Sequence, residues 1–264
     1  MNDLLVLHPL RPIRRSHVTL MRQVAAIQHG LLDQSTSLGY LWSLLHPLLM
    51  LAVLFAFFSR RVGADVPHYA LYLLIGLVQF THFSKSTASA MRVLYRMRNL
   101  VTNVIFPKDV LVYSALLADA PEFLISMAAT VLIAIVTGVP ITWALAALPV
   151  VLVLELLLVL WISLVLSIMY VYVRDLDHIY EVAMRVLFFV TPIIYSVDIL
   201  SPTVRRVVLF NPLAHIIAYA RMVILEGHLP PAAQLFGFIA VNLALVYLAM
   251  LLFRRVEASL VERL

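Results

Sequence analysis

The strongest constraint on this chain is a series of long apolar runs separated by short basic segments. A membrane-spanning helix needs roughly 20 mostly apolar residues, because the hydrocarbon layer is about 30 Å thick and a helix rises about 1.5 Å per residue. Six stretches qualify: Tyr40–Phe58, Tyr69–Lys85, Val110–Val136, Ala144–Val173, Tyr180–Ser196 and Ala232–Phe253. Backbone polar groups in lipid must find partners inside the protein, so such runs read as helices. The expected fold class is therefore all-α, a polytopic membrane protein with six transmembrane helices. Composition agrees. The chain is 63% hydrophobic and 12% charged, against about a quarter charged in soluble domains. Almost nothing is left over for a soluble domain, and residues 1–264 read as a single transmembrane domain. There is no cysteine, which excludes disulfides and thiol chemistry.

Charge placement sets the orientation. With the N-terminus inside and six spans, fourteen of the 19 Lys and Arg fall inside and five outside. The outside ones are Arg60, Arg61, Arg205, Arg206 and Arg221. That asymmetry follows the positive-inside rule, puts both termini in the cytoplasm and explains the net charge of +5 without nucleic-acid binding. Counting Val207–Leu225 as a seventh span would move Arg254 and Arg255 outside. The same stretch contains Asn211-Pro212. Asn suits a helix N-cap and Pro the first helical position, so two short helices are expected to meet at Asn211. Residues 197–231 then form a broken segment at the outer face. Residues 11–37 place Leu20, Val24, Ile27 and Leu31 on one helical face and Arg15, Arg22 and His29 on another. That spacing predicts an amphipathic helix lying in the membrane interface.

No G-x-x-x-x-G-K-[ST] occurs, so ATP has no phosphate cradle in this chain. If ATP drives the protein, a partner hydrolyses it and docks on the inside. The candidate docking segment is 92–108, RVLYRMRNLVTNVIFPK, basic with apolar residues at helical spacing. Arg96, Arg98, Asn99, Phe106, Pro107 and Lys108 are its candidate contacts, and an ordinary positive-inside loop is the plainer alternative. No catalytic residue and no Cys/His metal pattern stand out. Asp175, Asp177 and His178 could hold a divalent ion, but Arg174 beside them suggests an ion pair at a helix junction.

Asp119 and Glu122 flank Pro121 in span three, and Glu155 lies in span four. Intramembrane acids are costly and face a bundle interior or a cavity. The plainer expectation puts Asp119 and Glu122 near an interface or at a kink, Glu155 near the outer surface, and His46 in the core. Aromatics gather at Tyr40, Trp42, Tyr180, Phe188, Phe189 and Tyr195. They read as an interfacial belt, or as rings lining a path along which sugars stack and slide.

Four collinear motifs carry a family resemblance. They are LGYLWSLLHPLLM (Leu38–Met50), RNLVTNVIFPKDVL (Arg98–Leu111), YVRDLDHIYEVAMRVLFFVTPIIYS (Tyr172–Ser196) and FNPLAHIIAYAR (Phe210–Arg221). In order and spacing the chain resembles the membrane (permease) subunit of ABC-2-type polysaccharide exporters. The resemblance implies a homodimer that forms a channel for a lipid-linked glycan in the bacterial cytoplasmic membrane. It also implies two copies of a separate ABC ATPase, which would carry the ATP and Mg, so that no cofactor belongs to this chain. It gives residues 11–37 the role of interface helix, and 92–108, centred on Arg98–Lys108, that of coupling helix. Residues 197–231 become re-entrant helices at the outer mouth, with Asn211 and Pro212 at the outer gate. The aromatic residues become the glycan path. Asp33 and Asn103 stand where the family commonly places basic residues. An ABC-2 exporter of drugs or small molecules shares the same fold, and a membrane-embedded sugar transferase is the further alternative.

Overall fold

A computed structural model describes residues 41–64, 66–104 and 106–263, together with Thr19, Met21, Val24 and Ala25. The interface helix expected over 11–37, and Tyr40, lie almost wholly outside the described residues. Of that segment Thr19, Met21, Val24 and Ala25 are helical, and Val24 packs among Ala90, Val93 and Leu94.

The described chain is helical, with no strand. In order it forms α1 (Leu41–Phe58), α2 (Tyr69–Arg96), α3 (Arg98–Asn103), α4 (Asp109–Val136) and α5 (Leu148–Tyr172). Then come α6 (Leu176–Val190), α7 (Pro202–Leu209), α8 (Pro212–Arg221) and α9 (Ala232–Arg263). A 3₁₀ turn, Trp143–Ala147, leads into α5, and a π-turn, Met222–Glu226, extends α8.

Local chemistry explains the breaks. Thr191 precedes Pro192, whose ring disfavours helical backbone in the residue before it. Thr191 accordingly turns extended (φ −76°, ψ 133°) and α6 stops. Asn211 takes the N-cap of α8: its side-chain oxygen accepts from the Leu213 N–H at 3.0 Å, and Pro212 follows at the first position. The π-turn ends at Gly227 with φ 69°, where a Cβ would stand 2.7 Å from Thr142 Cγ2. Two buried hydroxyls inside α4 bond back one turn, Ser114 to the Val110 carbonyl and Thr130 to that of Ser126.

Among the described residues, three helices are long and apolar enough to cross a membrane: Asp109–Val136, Trp143–Tyr172 and Ala232–Arg263. A fourth is reached if Pro202–Leu209 and Pro212–Glu226 count as one span, although they meet at 94°. The apolar part of α1, Leu44–Phe58, is shorter. Helix α2 has the length but carries Gln79, His82 and Lys85 in its middle, and α6 has only 15 residues. Half of α5 is buried, while α4 and α9 leave most of their apolar surface outside.

Helix α2 is the spine, packed on α1, α4 and α5, with α9 on the far side of α5. Among the described residues two large apolar cores follow it, with a small third around Met91, Leu176 and Tyr180. One, around Leu73, Ile75, Leu154, Ile193 and Ile217, sits at the Tyr69 end of α2. The other, around Ala90, Leu94, Leu111, Leu164 and Phe253, sits at the opposite end. Arg92, Arg96, Arg98, Lys108, Arg174 and Arg254 collect at that second, basic end. Helix α9 runs ten residues past the expected limit at Phe253, and there Arg263 covers the Tyr172 ring (4.7 Å) while Ser259 Oγ meets the Tyr172 hydroxyl (2.7 Å).

Candidate functional site

The polar groups that an apolar bundle has to accommodate fall into three layers along α2. At the basic end, α2 stops at Arg96 and the chain turns at Met97 into the short helix α3. Arg92 Nε donates to Asp177 Oδ1 at 2.6 Å, and the Tyr170 hydroxyl donates to Asp177 Oδ2 at 2.7 Å. These two bonds occupy both carboxylate oxygens of Asp177. The guanidiniums of Arg98 and Arg174 flank the Tyr95 ring at 5.4 and 5.5 Å from its centroid. Arg92, Tyr95, Arg96, Arg98, Asn99 and Tyr170 thereby line an open recess of about 430 Å³.

The middle layer joins α2, α4 and α5. His82 Nδ1 lies 2.8 Å from Glu155 Oε1, and the His82 ring stacks on Phe123 at 3.9 Å. Glu155 is fully buried and its Oε2 has no hydrogen-bond partner among the described residues. One turn further along α2, the Lys85 ammonium pairs with Glu122. Beside that pair Asp119 is 4% exposed, and its Oδ2 is likewise unpartnered among the described residues. A small cleft opens onto Thr81, Lys85, Ser86, Asp119, Glu122 and Ser126.

At the Tyr69 end, Arg221 of α8 is buried. Its Nη1 donates to the Pro192 carbonyl (2.7 Å), Nη2 to those of Ile193 and Tyr72 (both 3.0 Å), and Nε to that of Tyr72 (3.2 Å). The guanidinium lies 3.3 Å from the Tyr72 ring centroid. Tyr69 and Tyr72 donate to the carbonyls of Ile194 (2.8 Å) and Tyr195 (2.9 Å). Asn211 Nδ2 donates to Thr191 Oγ1 at 2.7 Å. The non-helical stretch after α6 is thus held by side chains from α2 and α8. Gly76 belongs to this layer, since a Cβ there would stand 2.9 Å from Arg221 Nη2 and 3.2 Å from Ile193 Cγ2. Four bonds pin the guanidinium, so it cannot swing aside. Gly76→Ala is expected to lower stability by about 1–3 kcal/mol as an overpacking defect, despite alanine's better helix propensity; a thermal melt in detergent reads it.

Residues 29–225 match the ABC-2 type transporter family. The chain belongs to that family. Among curated relatives it is 27% identical over 218 residues to an O-antigen export system permease protein, RfbA, of Myxococcus xanthus, covering 82% of this chain and 84% of the relative. It is 24% identical over 196 residues to RfbA of Klebsiella pneumoniae, covering 74% and 75%. It is 23% identical over 240 residues to the polysialic acid transport protein KpsM of Escherichia coli, covering 84% and 88%. This is a family of transporter membrane subunits, and the chain is a multi-pass membrane protein.

Within this ABC-2 subunit the residues singled out from the sequence separate into groups. Arg96, Arg98 and Asn99 share the recess. The helical part of 92–108 is the last turn of α2 and Arg98–Asn103, rather than one helix through to Lys108. Lys108 is turned in: its N–H donates to Glu257 Oε1 (2.8 Å) and its ammonium to the Val104 carbonyl (2.6 Å) above the Phe106 ring. Burial pulls the Lys108 ammonium below its usual range, with Glu257 opposing. Phe106 and Pro107 are half-buried beside it. Trp42 is exposed on α1 and Phe189 on α6, whereas Tyr180 is buried, donating to the Ser84 carbonyl (2.8 Å) with Thr87 Oγ1 2.5 Å away. Phe188 meets Phe80 edge-on at 5.2 Å, and the Tyr195 hydroxyl returns to the carbonyls of Phe189 and Val190 (both 3.0 Å). The aromatics therefore do not share one face.

Several expectations change. Asp177 pairs with Arg92, not with Arg174, because Arg174 leans on Tyr95 instead. His46 is exposed rather than in the core. Glu155 is deep in the bundle rather than near a surface, and Glu122 lies in the middle of α4. Sequence reasoning passed over His82, Lys85 and Arg221 as partners. Their one signal was a charged or titratable side chain inside an apolar run.

Proposed function

We propose that this chain is the channel-forming subunit of an ATP-driven exporter that moves a lipid-linked polysaccharide across a bacterial cytoplasmic membrane. The observation that carries the reading is the near full-length match to relatives named for O-antigen export and polysialic acid transport, spread over 84% of the chain in the KpsM case. In this reading two copies form the channel. Helices α1, α2, α4, α5, α6 and α9 serve as six spans, with both termini cytoplasmic, and residues 11–37 lie in the interface. Helices α7 and α8, bent by 94°, form the re-entrant pair at the outer mouth, with Asn211 and Pro212 at the gate. Trp42 and Phe189, which are exposed, with Phe188, Tyr195 and Tyr40, belong to the glycan path, while the buried Tyr180 supports it from behind by bonding the Ser84 carbonyl.

The ABC ATPase docks at the basic end and brings the ATP and Mg. Arg96, Arg98 and Asn99, open in the recess, suit acidic groups of such a partner. Because α3 continues from α2 with one bend at Met97, a push on α3 reaches the middle and Tyr69-end layers through a single helix. The transferase alternative loses its motive, since Asp177 is already occupied by Arg92 and Tyr170.

Deleting the gene is expected to leave lipid-linked, undelivered glycan inside the cell and to remove that glycan from the surface. Thin-layer or mass-spectrometric analysis of extracted lipids reads the outcome. A deletion strain with normal surface glycan and raised sensitivity to a drug would move the assignment to the small-molecule exporter of the same fold.

A further inference from the structure

A charged pair at membrane depth has to be explained by what it faces. Glu122 lies near the centre of α4, about 20 Å from either end at 1.5 Å per residue. Lys85 is paired with it and so shares its depth. Yet both side chains are partly open, 44% for Lys85 and 26% for Glu122. A charge facing lipid at that level costs at least about 2.5–3.5 kcal/mol. This surface therefore faces water or another copy of the chain. Burial against a dry copy would strip solvent from a pair whose partners are already each other, a desolvation cost with no new bond to offset it. Water is the better neighbour.

The cleft behind the pair shows what that water can be exchanged for. Its volume is about 30 Å³, room for about one water molecule. Asp119 lines it with an unpartnered Oδ2. The pair supplies a cationic donor and a second carboxylate at the rim, and Thr81, Ser86 and Ser126 add hydroxyls. This set of one donor cation, two acceptor carboxylates and hydroxyls matches a group that both donates and accepts.

We infer that the face of α2 and α4 around Lys85, Asp119 and Glu122 lines the aqueous path and that its cleft takes sugar hydroxyls of the passing glycan one at a time. The inference rests on the polysaccharide-export reading and adds to the aromatic residues a polar site for the same substrate. A hydroxyl entering the cleft replaces a water and offers the same two acceptor lone pairs with one donor fewer, so the exchange gains little and the grip is weak and reversible, as a moving chain requires.

The natural absence of cysteine makes the test direct. Glu122→Cys and Thr81→Cys report on the cleft, with two positions of the cleft guarding against a variant that fails to fold. Leu124→Cys and Leu132→Cys, 50% and 61% exposed on the same helix, serve as lipid-facing references. All are expressed in the complete transporter in native membranes and treated with a charged, water-soluble methanethiosulfonate. The expected result is modification of the two cleft positions about tenfold faster than the references, because only a hydrated thiolate reacts. A severalfold slower reaction is expected in cells that make the lipid-linked glycan than in cells unable to synthesise it. Cleft thiols as inert as the references would overturn the water-path assignment. Rapid modification with no protection by glycan would overturn the ligand, and oxidative dimerisation through Glu122→Cys would show a second copy instead. The export reading is judged separately by glycan accumulation in the deletion strain, so inert thiols in a protein whose loss still traps glycan count against this inference alone.

Discussion

Arg221→Met is expected to destabilise the protein by about 3–5 kcal/mol, seen as a melting midpoint lower by about 10 °C in detergent. The reason lies in how α6 ends. Pro192 and Ile193 follow its last turn, and no backbone N–H reaches their carbonyls among the described residues. Arg221 satisfies both, and its remaining N–H groups bond the Tyr72 carbonyl one turn into α2. Methionine fills similar space but donates nothing, so two buried carbonyls lose their partner and each orphan costs about 1–3 kcal/mol. Lysine is expected to recover only part of the loss, because a single ammonium cannot reproduce the planar fork that reaches three carbonyls in two segments. An unchanged midpoint for Arg221→Met would refute the clamp.

His82→Leu is expected to cost about 3–5 kcal/mol, because it leaves the fully buried Glu155 without its partner. Glu155→Gln should be milder, since the amide oxygen can still accept from the His82 ring in one tautomer. The informative variant is the double change, His82→Leu with Glu155→Leu. Replacing both members of a buried pair by apolar groups of similar size removes the orphan along with the bond, so stability is expected to return to within about 1 kcal/mol of the parent. A double-mutant cycle read by melting in detergent isolates the coupling. Additive losses would mean that the 2.8 Å contact carries no coupling between His82 and Glu155.

Much of the helical plan was legible in the linear pattern. The limits of α4, expected at Val110–Val136, and the N-cap at Asn211 follow from apolar run length and the chemistry of Asn-Pro, both local. Helix α2 was less legible beyond Lys85. Its last eleven residues mix Arg92 and Arg96 with Met91, Val93 and Leu94, a pattern that reads equally as loop or helix until Val24, Leu111 and Leu164 cover the apolar side. Lys108 reads as one more exposed basic residue, but the fold buries it: its ammonium returns to the Val104 carbonyl over the Phe106 ring while Glu257 of α9 accepts its backbone N–H.

The sequence by itself determined that this is a helical membrane protein, where its chain breaks, which end is basic, and which family its motifs resemble. Each of these depends on residues near one another in the chain: apolar run length against bilayer thickness, proline against helix, arginine against lipid. Only the tertiary structure decided the partners of the charged residues. Arg221 meets Pro192 across 29 positions, His82 meets Glu155 across 73, and Arg92 meets Asp177 across 85. A charge in an apolar run announces that it needs a partner, because leaving it bare in a low-dielectric interior is costly. Which partner it finds depends on how the helices pack, and helix packing is set by the side-chain ridges of several helices together.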